Sequence, residues 1–167
     1  GASGGTREFL GTNNGGSTLI NSGTIRKTGS GDYSVRTSLN STGSIVMESG
    51  ILRMFGGGTV NANTFTIPTG TDLTFQGAAP YTFSGVTTSS GGGMLHIDGT
   101  TYLDDSASEI RANNFRFYNG KLSGPGLLSH SGRLEFYQAT NNSVSGSRLL
   151  TKPGAIASID VYYYAPL

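Results

Sequence analysis

The sequence predicts an all-β chain folded as a parallel β-solenoid, or β-helix, of about six or seven short coils. Three observations carry that expectation. Apolar and polar residues alternate in short beats, as in Leu52-Arg53-Met54, Leu95-His96-Ile97, Phe115-Arg116-Phe117 and Leu134-Glu135-Phe136, which is the period of a strand with one buried face. Ile25, Ile45 and Phe65 recur at one constant spacing, the mark of a repeat in which each unit buries its apolar face against the next. Gly, Asn and Ser interrupt the beats every few residues, and no segment keeps a helical period. Strands this short do not stand alone. An antiparallel sandwich also has many short strands, but its hairpins do not return at a single separation.

Taken in order, residues 1–17 show no sustained period and are expected to be an N-terminal tail or cap, with Phe9 and Leu10 covering the first coil. The solenoid is expected over residues 18–155. Asn21-Ser22-Gly23-Thr24-Ile25 is echoed by Asn40-Ser41-Thr42-Gly43-Ser44-Ile45 and by Asn61-Ala62-Asn63-Thr64-Phe65. Within Asn40–Val60, Ile45, Met47, Leu52 and Met54 are expected to point inward, and Val46, Arg53 and Phe55 outward. Gly70 leads to Leu73 one residue late, which suggests a bulge at Asp72. The longer stretch from Gly77 to Gly92 suggests an additional strand, Tyr81-Thr82-Phe83. Ile25, Ile45 and Phe65 should form one internal ladder, and Phe75, Leu95, Phe115 and Leu134 another. Residues 156–167, with Tyr162-Tyr163-Tyr164, are expected to be a C-terminal strand that caps the tube or assembles with a neighbour.

The composition narrows the function classes. The chain has 167 residues, 27 of them Gly, with 13% charged residues and a formal net charge of +1. Such a balance provides no electrostatic footprint for nucleic acid and no basic face for an anionic membrane. No apolar run approaches the roughly 18–20 residues of a membrane-spanning helix. With no Cys, disulfides and thiolate metal sites are excluded. No cofactor motif is present: the glycine clusters at 56–58 and 91–93 lack the following helix that phosphate binding requires, and His96 and His130 are isolated from any metal spacing.

The candidate contacts are therefore on the outer face. His96, Arg116 and Glu135 fall between apolar pairs in successive coils and should form one outward column able to meet an anionic sugar. The acids Asp98, Asp104, Asp105 and Glu109 accompany Glu135 as candidates for acid–base work, although Asp104-Asp105 also suits a turn. Tyr81, Tyr102, Tyr118 and Tyr137 recur near strand ends, where a ring can stack on a glycan. Phe55, Tyr162, Tyr163 and Tyr164 are candidates for assembly. Asn40 and Asn141 begin N-x-S/T triplets and are candidate glycosylation sites.

The series NSGTIRKTGSG, LNSTGSIVMESGILRMFGGGTV and NTFTIPTGTDLTFQG resembles the repeats of very large bacterial surface and secreted proteins, the autotransporter-passenger and haemagglutinin-like β-helices, with related repeats in some protist surface proteins. The likeness covers about residues 18–145 and is strongest over 18–77. It implies a right-handed parallel solenoid with roles in adhesion, stalk building and polysaccharide contact, and it carries over no site residues. The expectation is a non-enzymatic, extracellular structural or adhesive module of a cell-surface or fibre protein. Its expected partners are neighbouring copies or flanking domains, and polysaccharide. The alternatives are a carbohydrate-binding module or a polysaccharide lyase or hydrolase.

Overall fold

A computed structural model describes residues 7–8, 16–137 and 142–160, and every regular element in it is a β-strand. After β1 (Arg7–Glu8), the chain climbs in seven three-strand coils. The first holds β2 (Thr18–Asn21), β3 (Thr24–Lys27) and β4 (Asp32–Val35); the second holds β5 (Ser38–Ser41), β6 (Ser44–Met47) and β7 (Ile51–Met54). The third has β8 (Gly58–Asn61), β9 (Thr64–Thr66) and the first half of β10 (Asp72–Ser84), which turns a corner and opens the fourth coil. There β11 (Val86–Ser90) follows, and β12 (Met94–Leu103) bends in the same way into the fifth, which adds β13 (Glu109–Ala112) and β14 (Phe115–Tyr118). The sixth has β15 (Lys121–Ser123), β16 (Leu127–His130) and β17 (Arg133–Tyr137), and the seventh β18 (Ser143–Ser145), β19 (Arg148–Thr151) and β20 (Ile156–Asp160).

Equivalent strands stack in parallel to make three walls. Wall I runs β2-β5-β8-β10-β12-β15-β18, wall II runs β3-β6-β9-β11-β13-β16-β19, and wall III runs β1-β4-β7-β10-β12-β14-β17-β20. Since β10 and β12 belong to two walls, walls I and III form one 13-stranded sheet and wall II a separate 7-stranded one. Strand β20 continues wall III in register, Leu134 opposite Ala157.

The interior is built from columns. Ile25, Ile45 and Phe65 pair rung to rung as the repeat predicts. The second expected ladder is displaced: Leu73, not Phe75, stands beside Leu95, Phe115 and Leu134, while Phe75 pairs with Ile97 and, through Phe117, with Phe136. Two further expectations are corrected. Asp72 lies in register with Ile51, without a bulge, because the extra residue is taken up in the preceding turn; the register shift in β10 falls between Gly77 and Tyr81. Tyr81-Thr82-Phe83 is no additional strand but the ordinary wall I segment of its coil, paired with Gly58-Thr59-Val60. Ile45, Met47, Leu52 and Met54 are all buried.

Phe75 sits at the centre of an aromatic cluster, with ring centroids 5.6 Å from Phe65, 5.0 Å from Tyr81 and 5.3 Å from Phe83. Polar groups turned inward at the corner between walls I and II are bonded to one another. Asn21 Nδ2 donates to Ser41 Oγ at 2.9 Å, Ser41 Oγ donates to Asn63 Oδ1 at 2.6 Å, and Asn63 Nδ2 returns to the Ser41 carbonyl at 2.7 Å. Buried polar atoms satisfied in this way avoid the desolvation cost of an unmade bond.

Corners stack backbone on backbone, so some positions exclude any side chain. A Cβ at Gly43 would lie 2.1 Å from the Gly23 carbonyl oxygen below it, whereas a Cβ at Gly23 meets nothing within 4 Å. Gly43→Ala is expected to cost about 1–3 kcal/mol through overpacking, and Gly23→Ala about 0.5 kcal/mol or less, as read by denaturant melts. Phe75→Ala, which empties the aromatic cluster, is expected to cost about 3–5 kcal/mol in the same measurement.

Candidate functional site

The outward face of wall III carries the predicted column. His96 pairs with Arg116 and Arg116 with Glu135, and the same register extends the column back through Thr74, Arg53 and Ser34. These residues share a face because each sits between two inward apolar neighbours. The strand residue two positions earlier supplies a flanking column containing Asp32, Ile51 and Asp72. Two positions later lie Gln76 and Asp98, followed by Tyr118 and Tyr137.

Together Ile51, Arg53, Asp72, His96, Asp98 and Tyr118, with Thr74 and Arg116 along the floor, enclose a groove of about 360 Å³. Its charges are largely paired. Arg53 Nη2 lies 3.2 Å from Asp32 Oδ2, and His96 Nε2 lies 3.5 Å from Asp72 Oδ1. Arg116 Nε donates to Glu135, whose other oxygen meets Arg133 Nε. The contact with His96 holds the Asp72 carboxyl below its ordinary value, helped by Arg116 and Arg53 and opposed by burial. Burial pushes the Asp98 carboxyl the other way, above the ordinary carboxylate range, against the pull of Arg53 and His96. Asp98 is the groove acid with no ion-pair partner among the described residues.

The tyrosines divide. Tyr118 and Tyr137 stand on neighbouring rungs of wall III with rings stacked at 5.3 Å and 15°. Tyr102 is 44% exposed but lies on wall I, between Thr82 and Ser123. Tyr81 is a correction: it is 1% exposed, packed edge-on to Phe75, and cannot meet a glycan. The bend in β10 between Gly77 and Tyr81 changes which residues face in. Burial raises the Tyr81 phenol well above its ordinary value, opposed by hydrogen bonding to the Gly57 and Gly56 backbone.

The remaining candidates are scattered. Phe55 follows β7 and has the Arg36 guanidinium 4.7 Å from its ring centroid. Asp105 closes the turn before β13, its Oδ1 accepting from the Ser108 N–H at 2.7 Å and the Ala107 N–H at 2.9 Å; Asp104 is exposed beside it. Glu109 is on wall II, bonded to Arg111 and Ser129 at 2.8 Å each. Asn40 is exposed on wall I, where its Oδ1 accepts from Thr59 Oγ1 at 3.0 Å. Asn141, Tyr162, Tyr163 and Tyr164, like Phe9 and Leu10, lie outside the described residues. Among the described residues no group of three or more His, Cys, Asp or Glu is placed to hold a metal ion.

Sequence reasoning left Arg53 and Asp72 out of the site. The signal for Arg53 was present, since Leu52-Arg53-Met54 has the form of Leu95-His96-Ile97. Compared with known proteins, the chain matches no family model, no curated protein and no solved structure.

His130 is not part of this face. It points into the tube on wall II between Ala112 and Thr151, fully buried, with Nε2 2.9 Å from Thr151 Oγ1. Burial holds its pKa below the ordinary histidine value, opposed by a backbone hydrogen bond at Gly132. The unfolded chain therefore takes up this proton before the folded one does. Its stabilising contribution is fully present above about pH 6.5 and is lost as the pH falls through the lower folded value. The thermal midpoint should drop between about pH 7 and 5, and His130→Asn should flatten that drop.

Proposed function

We propose that this chain is a non-enzymatic structural and adhesive module of an extracellular cell-surface or fibre protein. Its mechanism is shape: a stiff stack of coils displays one wall to a partner. The observation that carries this reading is the continuity of three parallel ladders through seven coils. Parallel stacking satisfies the backbone of each internal coil and buries apolar columns along the axis, leaving the outer walls free to diversify. The resemblance of the repeat to haemagglutinin-like and autotransporter-passenger proteins points the same way, as does an exterior rich in Ser, Thr and Asn. The partners on this reading are neighbouring copies or flanking domains of the same fibre.

A second reading, polysaccharide binding, is favoured by a specific observation. The wall III groove sets an aromatic ring, Tyr118, beside acceptors and donors on Asp98, His96 and Arg116, the combination of apolar platform and convergent polar groups typical of ligand sites. The hydrolase reading is weaker on chemical grounds. It needs two free carboxyl groups facing one bond, yet Asp72 is engaged by His96 and Glu135 by two arginines.

Beads coated with the chain should be retained on immobilised polysaccharide while no new reducing or unsaturated ends appear in solution. Release of such ends, lost on Asp98→Asn, would establish an enzyme instead. Failure of retention on every polysaccharide and on beads bearing the chain itself would remove the adhesive role.

A further inference from the structure

The stacked tyrosines and the unpaired carboxylate define a subsite. We propose that the wall III groove binds an uncharged pyranose unit of a β-linked sugar chain, with the sugar ring on the face of Tyr118 and a pair of its hydroxyls on Asp98. This deepens the polysaccharide-binding reading above and rests on it.

The ring geometry selects Tyr118. Because the two rings stack rung on rung, Tyr137 covers one face of Tyr118, and the other face looks towards the neighbouring rung. That rung carries Asp98, since Ile97 pairs with Phe117 and each is followed by the residue in question. Tyr118 accordingly lines the groove and Tyr137 backs it. The face of a phenol ring is an apolar surface with negative quadrupole, a match for the polarised C–H face of a pyranose.

Charge selects the ligand class. An ionised carboxylate is an acceptor only, so whatever meets Asp98 must donate. The groove arginines already have partners, Arg53 with Asp32 and Arg116 with Glu135, which leaves Asp98 as the groove acid without an ion-pair partner among the described residues. A uronate or sulfated sugar would bring a second negative charge to it. A cationic ligand would come up against Arg53, whose charge already pulls on Asp98. Uncharged hydroxyl donors avoid both conflicts.

Ring orientation sets the direction. A pyranose stacked on Tyr118 lies parallel to that ring, and a β-linked chain continues in the plane of its sugars, so the chain runs across wall III with one unit held by Tyr118 and Asp98.

The test is calorimetric titration of the full chain with cellohexaose, mannohexaose and xylohexaose, alongside hexagalacturonate and chitosan hexamer. Binding of at least one uncharged hexamer is expected, weakened about tenfold or more by Tyr118→Ala and by Asp98→Asn, with Tyr137→Ala milder and all thermal midpoints retained. Preference for the galacturonate or the chitosan overturns this inference while the polysaccharide-binding reading stands. Undiminished binding of the uncharged hexamer in both variants places the sugar elsewhere and also overturns it. If none of the five oligosaccharides binds, and no insoluble polysaccharide retains the chain, both the inference and the reading beneath it fall.

Discussion

Stacked coils set backbone against backbone at about 4.8 Å, and each corner must fit within that rise. This close approach is the constraint on which the other features depend. At Gly58, where φ is +124°, a Cβ would lie 2.0 Å from the Leu39 carbonyl oxygen; glycine alone satisfies both the left-handed backbone and the contact. Where a corner does carry a side chain, the chain of bonds from Asn21 through Ser41 to Asn63 spends the polar atoms on the neighbouring coil. Corners built in this way keep the strands in register, and register is what aligns the apolar columns.

The same register explains what could be read from the sequence. A strand of three or four residues declares its inward face through its apolar pair, so the wall III column of His96, Arg116 and Glu135 was legible, as was the Ile25–Ile45–Phe65 ladder. The number of residues spent at each corner is not declared. Asn21 looks equivalent to Asn40 by local pattern, yet its rung partner is Ser41, and Asn40 faces out. In β10 the residues from Gly77 to Pro80 turn the corner with a register shift, and Tyr81 emerges facing inward. Alternation counted in a straight line cannot anticipate a parity change made at a bend. Asp72 was hidden for a related reason: a late apolar residue suggested a bulge, whereas the turn before the strand had absorbed the extra residue.

Electrostatics on the outer wall follow the rungs too. Opposite charges on adjacent rungs attract and like charges repel, so a column selected for stability alone would alternate in sign. Arg116 beside Glu135 obeys that rule. His96 beside Arg116 has its ring nitrogen Nε2 3.5 Å from Asp72 Oδ1 on the flanking column. Glu135 is largely buried, its side chain 9% exposed, so the attraction of its arginines is largely offset by the desolvation of the charges. The internal columns and the corner glycines carry the stability, and the wall is free to vary.

That freedom makes the irregular rungs informative. A purely structural wall has no reason to bury a carboxylate part-way and leave it without a partner, because doing so costs desolvation that a Ser or Thr at the same position avoids. Asp98 occupies such a position in a face where Asp32, Asp72 and Glu135 each have an ion-pair partner. Local departures from a consistent design tend to mark function. Here the departure lies beside the stacked tyrosine pair, and Asp98 and Tyr118 both line the wall III groove. Their coincidence is what supports the wall III groove as the proposed contact surface.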